Sequence, residues 1–276
     1  MPRTIIAAAV QAAAHERTSL GKAWPAIARR AREAAKGGAN LVVLPEGTLP
    51  AYVLGYGKYA ESEIAAAVEE CREIASEERC VLVVGAARRE GDRVFNSALV
   101  IDTDGSSAGA ADKHFLWHFD RQWFASGERL TPIETSLGTI GALVCADGRI
   151  PTIARALVDR GAELLVMPTA WVTSGRDPQQ LENVQADLLA RVRARENDVP
   201  FIAANKCGVE LGCVAYCGKS QIVYADGTIA AMAPQDREET IVARVELRAP
   251  RPARSASVET LLNEPAARPM RIAITT

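Results

Sequence analysis

A cysteine at the end of a short apolar run is the residue of this sequence best suited to covalent chemistry. The run covers residues 140–144, so it predicts a buried strand that ends just before Cys145. Turn residues and Pro151 follow and predict a helix start. Such a strand-to-helix turn exposes a side chain, and a nearby helix N-terminus favours the nucleophilic thiolate. The alternative is a small buried cysteine at a strand end, because free cysteine is among the most buried residue types.

Two further chemical groups follow predicted strands elsewhere in the chain. The apolar run 39–44 leads into Pro45 and Glu46, and a carboxylate just past a buried strand is either a solvated loop residue or part of a site. Lys113 precedes a stretch, residues 116–127, that is unusually aromatic for a protein with 5% aromatic residues. This stretch is either a packing cluster or the wall of a pocket. Trp171 lies in a predicted loop that follows the strand 163–167.

The elements that must position these groups alternate along the chain. We predict helices over residues 19–36, 60–79, 150–160 and 179–197. We predict strands over residues 4–11, 39–44, 81–88, 94–101, 140–144, 163–167, 201–205, 220–224, 228–232 and 241–246. This order is typical of an α/β fold with mixed sheets covered by helices. Glu46, Lys113, Cys145 and Trp171 all follow strands or strand-rich segments, which is where open α/β folds usually place their sites.

The composition excludes several classes of protein. The 276 residues are 48% hydrophobic, and 32 Lys and Arg balance 34 Asp and Glu, so nothing indicates a nucleic-acid or anionic-membrane surface. No apolar run approaches the roughly 18 residues of a membrane span. The apolar N-terminus superficially resembles a signal peptide, but Gln11 interrupts it and we predict a buried strand there. The six cysteines show no paired framework, which indicates reduced thiols and a cytoplasmic protein.

The sequence contains no convincing site for a metal or a cofactor, and we expect neither. Cys207, Cys213 and Cys217 fit no closed zinc spacing and have no histidine nearby. We predict one domain over residues 1–247. The last segment, residues 248–276, is rich in Pro, Arg and Ala and is expected to pack as an arm on the body or on a partner subunit.

Three motifs in order resemble the nitrilase, or carbon–nitrogen hydrolase, superfamily. They are PEG at Glu46, DKH at Lys113 and CADGRIP at Cys145. The resemblance covers roughly residues 4–246 and is supported by the stretches LVVLPE, GAELLVMPTAW, RARENDVPFIAANKCG and GKSQIVYADG. It implies a four-layer αββα sandwich that pairs into a homodimer or a larger homo-oligomer. It also implies that Glu46, Lys113 and Cys145 form the catalytic set.

The implied set makes chemical sense for the hydrolysis of an amide. A free thiol has a pKa near 8.5, so a base such as Glu46 is needed to take its proton, and a positioned base contributes about 10²- to 10⁴-fold. The Lys113 ammonium and the backbone N–H of Ala146 can hold the tetrahedral oxyanion, where each donor is worth roughly 10²- to 10³-fold. Glu46 then returns the proton to the leaving amine and activates the water that hydrolyses the thioester. A surface lysine is the alternative for Lys113.

The sequence departs from the family at the second acid. Many members place a glutamate seven residues after the lysine, and this chain has Asp120 there. The aspartate is one methylene shorter, and a misplacement of about 1 Å can reduce the rate on the order of 10²-fold. Either the backbone lies closer, or Asp120 only orients Lys113 and the substrate. Glu128 is a less favoured substitute.

The residues after the nucleophile point to a class of substrate. True nitrile hydrolases of the superfamily usually have Cys-Trp-Glu, whereas C-x-D-x-R-x-P resembles the amidase and N-carbamoyl amino acid amidohydrolase branches. We therefore expect hydrolysis of a small linear amide or carbamoyl compound with release of ammonia. Arg149 either clamps a substrate carboxylate or forms an ion pair with Asp147 or Glu46.

Other residues and other functions remain possible at this point. Trp117, Thr169 and Trp171 are candidates for the pocket wall, although each Trp is equally suited to the core. The alternatives for function are a nitrile hydrolase of the same superfamily and a non-catalytic member that binds a small amide or a protein.

Overall fold

The computed structural model describes residues 3–55, 61–173 and 182–247, and two sheets form the centre of this part of the chain. The first sheet contains β1 (Arg3–Ala13), β2 (Leu41–Val43), β3 (Val81–Glu90), β4 (Arg93–Ile101), β5 (Ser107–Asp112), β10 (Lys206–Glu210), β11 (Val214–Cys217) and β14 (Glu239–Leu247). The second sheet contains β6 (Ile133–Thr135), β7 (Gly138–Ala142), β8 (Leu164–Pro168), β9 (Phe201–Ala204), β12 (Gln221–Val223) and β13 (Ile229–Met232).

Both sheets have a parallel centre and antiparallel edges. In the first sheet, β1, β2 and β3 run parallel, and β4 and β5 extend one edge antiparallel. On the other side, β1 pairs antiparallel with β14 and, at its end, parallel with β10. In the second sheet, β7, β8 and β9 are parallel. The carboxyl ends of these parallel strands therefore carry the loops that can build a site.

Side chains alternate between the two faces of each strand, so one face of a sheet contacts the other sheet and the opposite face contacts helices. On β2, Leu41 and Val43 face the core between the sheets, while Val42 and Leu44 lie beneath helices. The helices α1 (Leu20–Lys36) and α2 (Glu61–Glu78) cover the first sheet, and α4 (Pro151–Asp159) and α5 (Ala190–Asn197) cover the second. Strands buried on both faces need apolar residues throughout, which is why β2 and β8 are continuous apolar runs.

The structure confirms the predicted αββα sandwich and corrects several of its elements. The helix predicted over residues 179–197 begins only at 184, opens with a π-helical turn at Gln185–Leu189 and continues as α5. Residues 179–181 lie outside the described part of the chain, as do residue 60 and the predicted arm. The strands β5, β6, β10 and β11 were not predicted, because they are short or rich in Gly and Ala.

Two global expectations can be compared with the structure. Among the described residues, no helix is both long enough and apolar enough to span a membrane. All six cysteines are free thiols. The predicted homodimer and the predicted boundary at residue 247 stay predictions.

Candidate active site

Five polar or reactive side chains meet where strands of the two sheets end. Glu46 follows β2, Lys113 follows β5, Cys145 follows β7 and Thr169 follows β8. Asp120 is the first residue of the short helix α3 (Asp120–Trp123). All five side chains are buried. The fold thus brings together groups that are separated by up to 123 positions in sequence, from 46 to 169.

Glycine allows the Glu46 loop to approach the neighbouring strand. A Cβ atom on Gly85 of β3 would collide with the carbonyl oxygen of Pro45 and the Cα of Glu46. Gly47 has a φ of +56°, and a Cβ atom added to it would lie only 2.5 Å from the backbone of Tyr52. Both positions require glycine because any side chain would push the loop away from the site.

Cys145 stands on a strained turn, but it is neither exposed nor activated by its helix. Its φ of 42° is a conformation that costs a non-glycine residue about 1–3 kcal/mol, and such strain is common at functional sites. Burial is the main cause that raises the pKa of the thiol, followed by the negative charge of Glu46, while Lys113 lowers it. Of the two interpretations that the sequence left open, the structure therefore supports the buried cysteine and not the exposed thiolate. The resting group is the thiol, so nucleophilic attack needs a base.

Lys113 is a fully buried ammonium between two carboxylates. Its Nζ lies 2.7 Å from Glu46 Oε1 and 2.6 Å from Asp120 Oδ2. Burial alone lowers the pKa of Lys113, but the nearby carboxylates of Glu46 and Asp120 oppose this effect, and the pKa is raised. An ammonium has three N–H donors, and two face these carboxylates. The ammonium also acts on Cys145, because its charge lowers the pKa of the thiol.

The two oxygen atoms of Glu46 have different environments. Oε1 accepts hydrogen bonds from Lys113 Nζ at 2.7 Å and from Asn96 Nδ2 at 2.7 Å. Oε2 is buried and has no hydrogen-bond partner among the residues that the structure describes. A buried carboxylate oxygen without a partner is costly, so one is expected where a ligand or a reacting proton must be received. Glu46 is thus oriented by one oxygen and free to accept a proton with the other.

Asp120, and not Glu128, lies beside the lysine. In addition to the ion pair with Lys113, Asp120 Oδ2 accepts a hydrogen bond from the backbone N–H of Trp117 at 3.0 Å. Its Oδ1 is buried and has no partner in the described part of the chain. Glu128 is exposed and pairs with Arg93 on the surface. The position of α3 compensates for the shorter aspartate, because the backbone lies close enough for the carboxylate to reach Lys113.

Asp147 connects the lysine loop with the cysteine turn. Its Oδ1 accepts from the backbone N–H groups of His114 at 3.0 Å and Phe115 at 2.7 Å, and its Oδ2 accepts from the backbone N–H of Val144 at 3.1 Å. Burial raises the pKa of this carboxyl, while the hydrogen bonds from the backbone oppose the shift. One side chain therefore fixes the spacing between the segments that carry Lys113 and Cys145.

A pocket opens onto Cys145. It is lined by Trp117, Cys145, Ala146, Arg149, Ala170, Trp171, Val172, Asn183 and Gln185. The Arg149 guanidinium lies over the Trp117 ring at 5.0 Å from its centroid, a cation–π contact. No ion pair of Arg149 with Asp147 or Glu46 occurs in the described residues, so that alternative role was wrong. With its amide nitrogen turned towards Cys145, Gln185 donates to the Cys145 carbonyl at 2.9 Å and accepts from Arg149 Nε at 3.3 Å.

The remaining candidates line or border the same pocket. Trp171 is buried, and its backbone N–H donates to Asn205 Oδ1 at 2.7 Å. Its Nε1 has no hydrogen-bond partner among residues 3–55, 61–173 and 182–247, whereas the Thr169 side chain lies beside Cys145 and its hydrogen bond lowers the pKa of the thiol. The aromatic stretch serves both predicted purposes, because Trp117 faces the pocket while Phe119 packs on Tyr52 and Trp123. Within the described residues, no cluster of His, Cys, Asp and Glu could hold a metal ion.

Comparison with known proteins identifies the family. The sequence model of the family described as Carbon-nitrogen hydrolase matches residues 6–255 of this chain. The chain belongs to the carbon–nitrogen hydrolase family. Its structure resembles that of an amidase from Nesterenkonia sp., with a TM-score of 0.79 and 25% identity over 94% of this chain and 95% of that chain.

Curated relatives of this carbon–nitrogen hydrolase include several amidases. The chain is 30% identical to an omega-amidase of Mus musculus over 76% of its own length and 78% of that protein. It is 28% identical to an N-carbamoylputrescine amidase of Oryza sativa subsp. japonica over 79% of each chain.

Sequence reasoning missed residues that orient the groups of this hydrolase. Asn96 interrupts the apolar strand β4, and Asn205 directly follows β9. Both are buried, and their side chains form hydrogen bonds with Glu46 and with the backbone of Trp171, respectively. A lone amide in an apolar run was the available signal, because such a group must find a partner inside the fold. Gln185 carried no comparable signal, since it lies in a polar helical segment.

Proposed function

We propose that this enzyme hydrolyses a non-peptide C–N bond in a small linear amide or N-carbamoyl compound through a thioester on Cys145. The observation that carries this proposal is the pairing of a protonated, buried thiol with a carboxylate whose Oε2 lacks a partner in the described structure. A thiol of raised pKa reacts only if its proton is removed during the attack. Glu46 is placed for that task, because Asn96 and Lys113 hold its other oxygen.

The reaction then follows from the contacts of each group. Sulfur attacks the carbonyl carbon while Glu46 takes the thiol proton. The oxyanion is stabilised by the third N–H of Lys113 and by the backbone N–H of Ala146. Glu46 passes the proton to the departing nitrogen, and ammonia leaves. A water molecule, deprotonated by Glu46, attacks the thioester, the C–S bond breaks to release the acid or the carbamate, and Glu46 returns the proton to the Cys145 sulfur. Asp120 holds Lys113 at 2.6 Å throughout and keeps the ammonium charged.

The choice of substrate rests on the pocket and on the relatives. Arg149 lies at the pocket that opens onto Cys145, and its guanidinium can bind a carboxylate in two-pronged geometry. The relatives include an omega-amidase and N-carbamoylputrescine amidases. We therefore favour an amide or a carbamoyl compound over a nitrile, and a carboxylate at the far end of the substrate.

The test is a panel of linear amides, N-carbamoyl amino acids and nitriles with the products measured. Ammonia with carbon dioxide marks a carbamoyl substrate, and ammonia with a simple acid marks an amide or a nitrile. We expect Cys145→Ala to abolish turnover while the circular dichroism spectrum and melting temperature stay close to those of the unaltered protein. Turnover that survives in Cys145→Ala would remove the mechanism. If the unaltered protein converts no member of the panel, the binding function is favoured instead.

A further inference from the structure

A second buried polar cluster lies behind the loop that carries Glu46. It consists of Lys206 and Glu210 on β10, Tyr216 on β11 and His15, all of which are buried. None of these residues belongs to the reacting set described above. Buried charges of this kind need a reason, because burying an ionised group is costly unless its partners are well placed.

The hairpin of β10 and β11 places three of these side chains on one face. Lys206 and Glu210 are four residues apart on a strand, so both point to the same side, and Tyr216 lies opposite Gly208, which comes between them. Lys206 Nζ lies 5.7 Å from the centroid of the Tyr216 ring, a cation–π contact. The Tyr216 hydroxyl donates to Glu210 Oε2 at 2.6 Å, and Lys206 Nζ lies 3.7 Å from the same oxygen.

Side chains on this face bind both ends of the loop of residues 46–53, which begins at Glu46. Lys206 Nζ donates to the carbonyl oxygen of Gly47 at 2.9 Å, next to the carboxylate that acts as the base. At the other end of the loop, Glu210 Oε1 accepts the backbone N–H of Val53 at 2.8 Å. Between them, His15 Nε2 lies 3.1 Å from the Thr48 carbonyl oxygen and 2.8 Å from that of Pro50. Four backbone groups of one short loop are thus bound by one cluster.

The same hairpin also borders the other side of the pocket. The Cys217 N–H donates to the Trp171 carbonyl at 2.9 Å, and Val172 forms a β-bridge with Tyr216. The Tyr216 ring makes an edge contact with Tyr52 at 6.1 Å, and Lys113 Nζ lies 5.9 Å from the centroid of Tyr52. A displacement of the hairpin would therefore be transmitted to the base and to the pocket wall together.

We propose that Lys206, Glu210, Tyr216 and His15 form a tether that positions the general base Glu46 from behind. The proposal rests on the proposed function, in which Glu46 transfers the proton. The four are positioning residues, since none of them lines the pocket beside Cys145. A small shift of Glu46 would mainly affect the transition state, so the tether should act on kcat more than on KM.

The test compares Lys206→Met and Tyr216→Phe with a matched control. In Lys206→Met, which keeps the length of the side chain, we expect kcat to fall about 10- to 100-fold with KM within about twofold. Tyr216→Phe removes only a hydroxyl and should lower kcat about three- to tenfold. The control is Glu163→Gln. Like Lys206→Met, it removes a buried charge from an ion pair, but Glu163 precedes β8 at the end away from Thr169 and pairs with Arg3. We expect kcat of the control within about twofold of the unaltered protein.

Hydrogen exchange of the loop provides a readout that does not depend on turnover. The backbone amides of residues 46–53 should exchange faster in Lys206→Met and Tyr216→Phe than in the unaltered protein. In Glu163→Gln their exchange should be unchanged, and the rest of the protein should stay protected in all three variants. If Lys206→Met does not fold, Tyr216→Phe decides the proposal by the same two measurements. An unchanged loop, or a mobile loop with the original kcat, would overturn the tether. If the unaltered protein has no amidase activity, the proposed function fails, and loop exchange alone then decides whether the cluster holds the loop.

Discussion

Asp120 offers the sharpest test of how this site works, because the family pattern expects a glutamate there. We consider Asp120→Asn, which keeps the shape of the side chain and removes its charge. The ion pair with Lys113 at 2.6 Å is fully buried, and the same oxygen accepts the N–H of Trp117. A hydrogen bond to a charged partner contributes about 1.5–3 kcal/mol. At about 1.4 kcal/mol for each factor of ten, kcat should fall roughly 10- to 150-fold.

The assay is ammonia release at saturating substrate, with the folded fraction measured in parallel. Glu128→Gln is the matched control, since it removes a carboxylate eight residues later that pairs only with Arg93 on the surface. Exposed ion pairs contribute about 0–1 kcal/mol, so we expect kcat of this control within about twofold of the original value. An Asp120→Asn enzyme with the original kcat, or a larger loss in Glu128→Gln, would refute the assignment of the second acid.

Two further predictions follow from neighbouring residues. Asn96→Leu removes the donor that lies 2.7 Å from Glu46 Oε1. The variant should fold, and its kcat should fall about tenfold or more. An unchanged kcat would show that Lys113 alone orients the base. His15→Gln tests a pH dependence of stability: burial and, next, the charge of Lys206 lower the pKa of His15 to about 4, below its unfolded value of 6.5. The unfolded chain binds this proton first, so the original protein should lose about 3 kcal/mol of unfolding free energy relative to His15→Gln as the pH falls from 7 to 4. Parallel stability curves from chemical denaturation at each pH would contradict the shift.

Much of the fold could be predicted from local patterns. Apolar runs of four to six residues predicted β2, β7, β8 and β9, because strands buried on both faces admit few polar residues. The strands β10 and β11 gave no such pattern, since Gly208, Cys207 and exposed Val209 obscure the alternation. The hairpin is stabilised by pairing with β1 and by its buried polar face, and both are tertiary effects.

The sequence also could not decide whether the Cys145 side chain is buried or exposed. The strand-to-helix turn at Cys145 left open an exposed thiolate or a small buried cysteine, and the fold buries the sulfur and raises the pKa of the thiol. Burial and the charge of Glu46 raise this pKa more than Lys113 and the hydrogen bonds from Thr169 and Ala170 lower it. A thiol of raised pKa needs a base even more than a free thiol does, which strengthens the expectation drawn from the sequence.

The sequence alone determined the family and the alternation of strands and helices, because these depend on residue type and order, and it predicted Glu46, Lys113 and Cys145 as the catalytic set. The tertiary structure decided which acid reaches the lysine, which oxygen of Glu46 stays free and which buried residues hold the loop behind it. These properties depend on distances of a few ångströms between segments far apart in the chain. No local pattern encodes such distances, since they arise only when both sheets pack and all side chains compete for the same space.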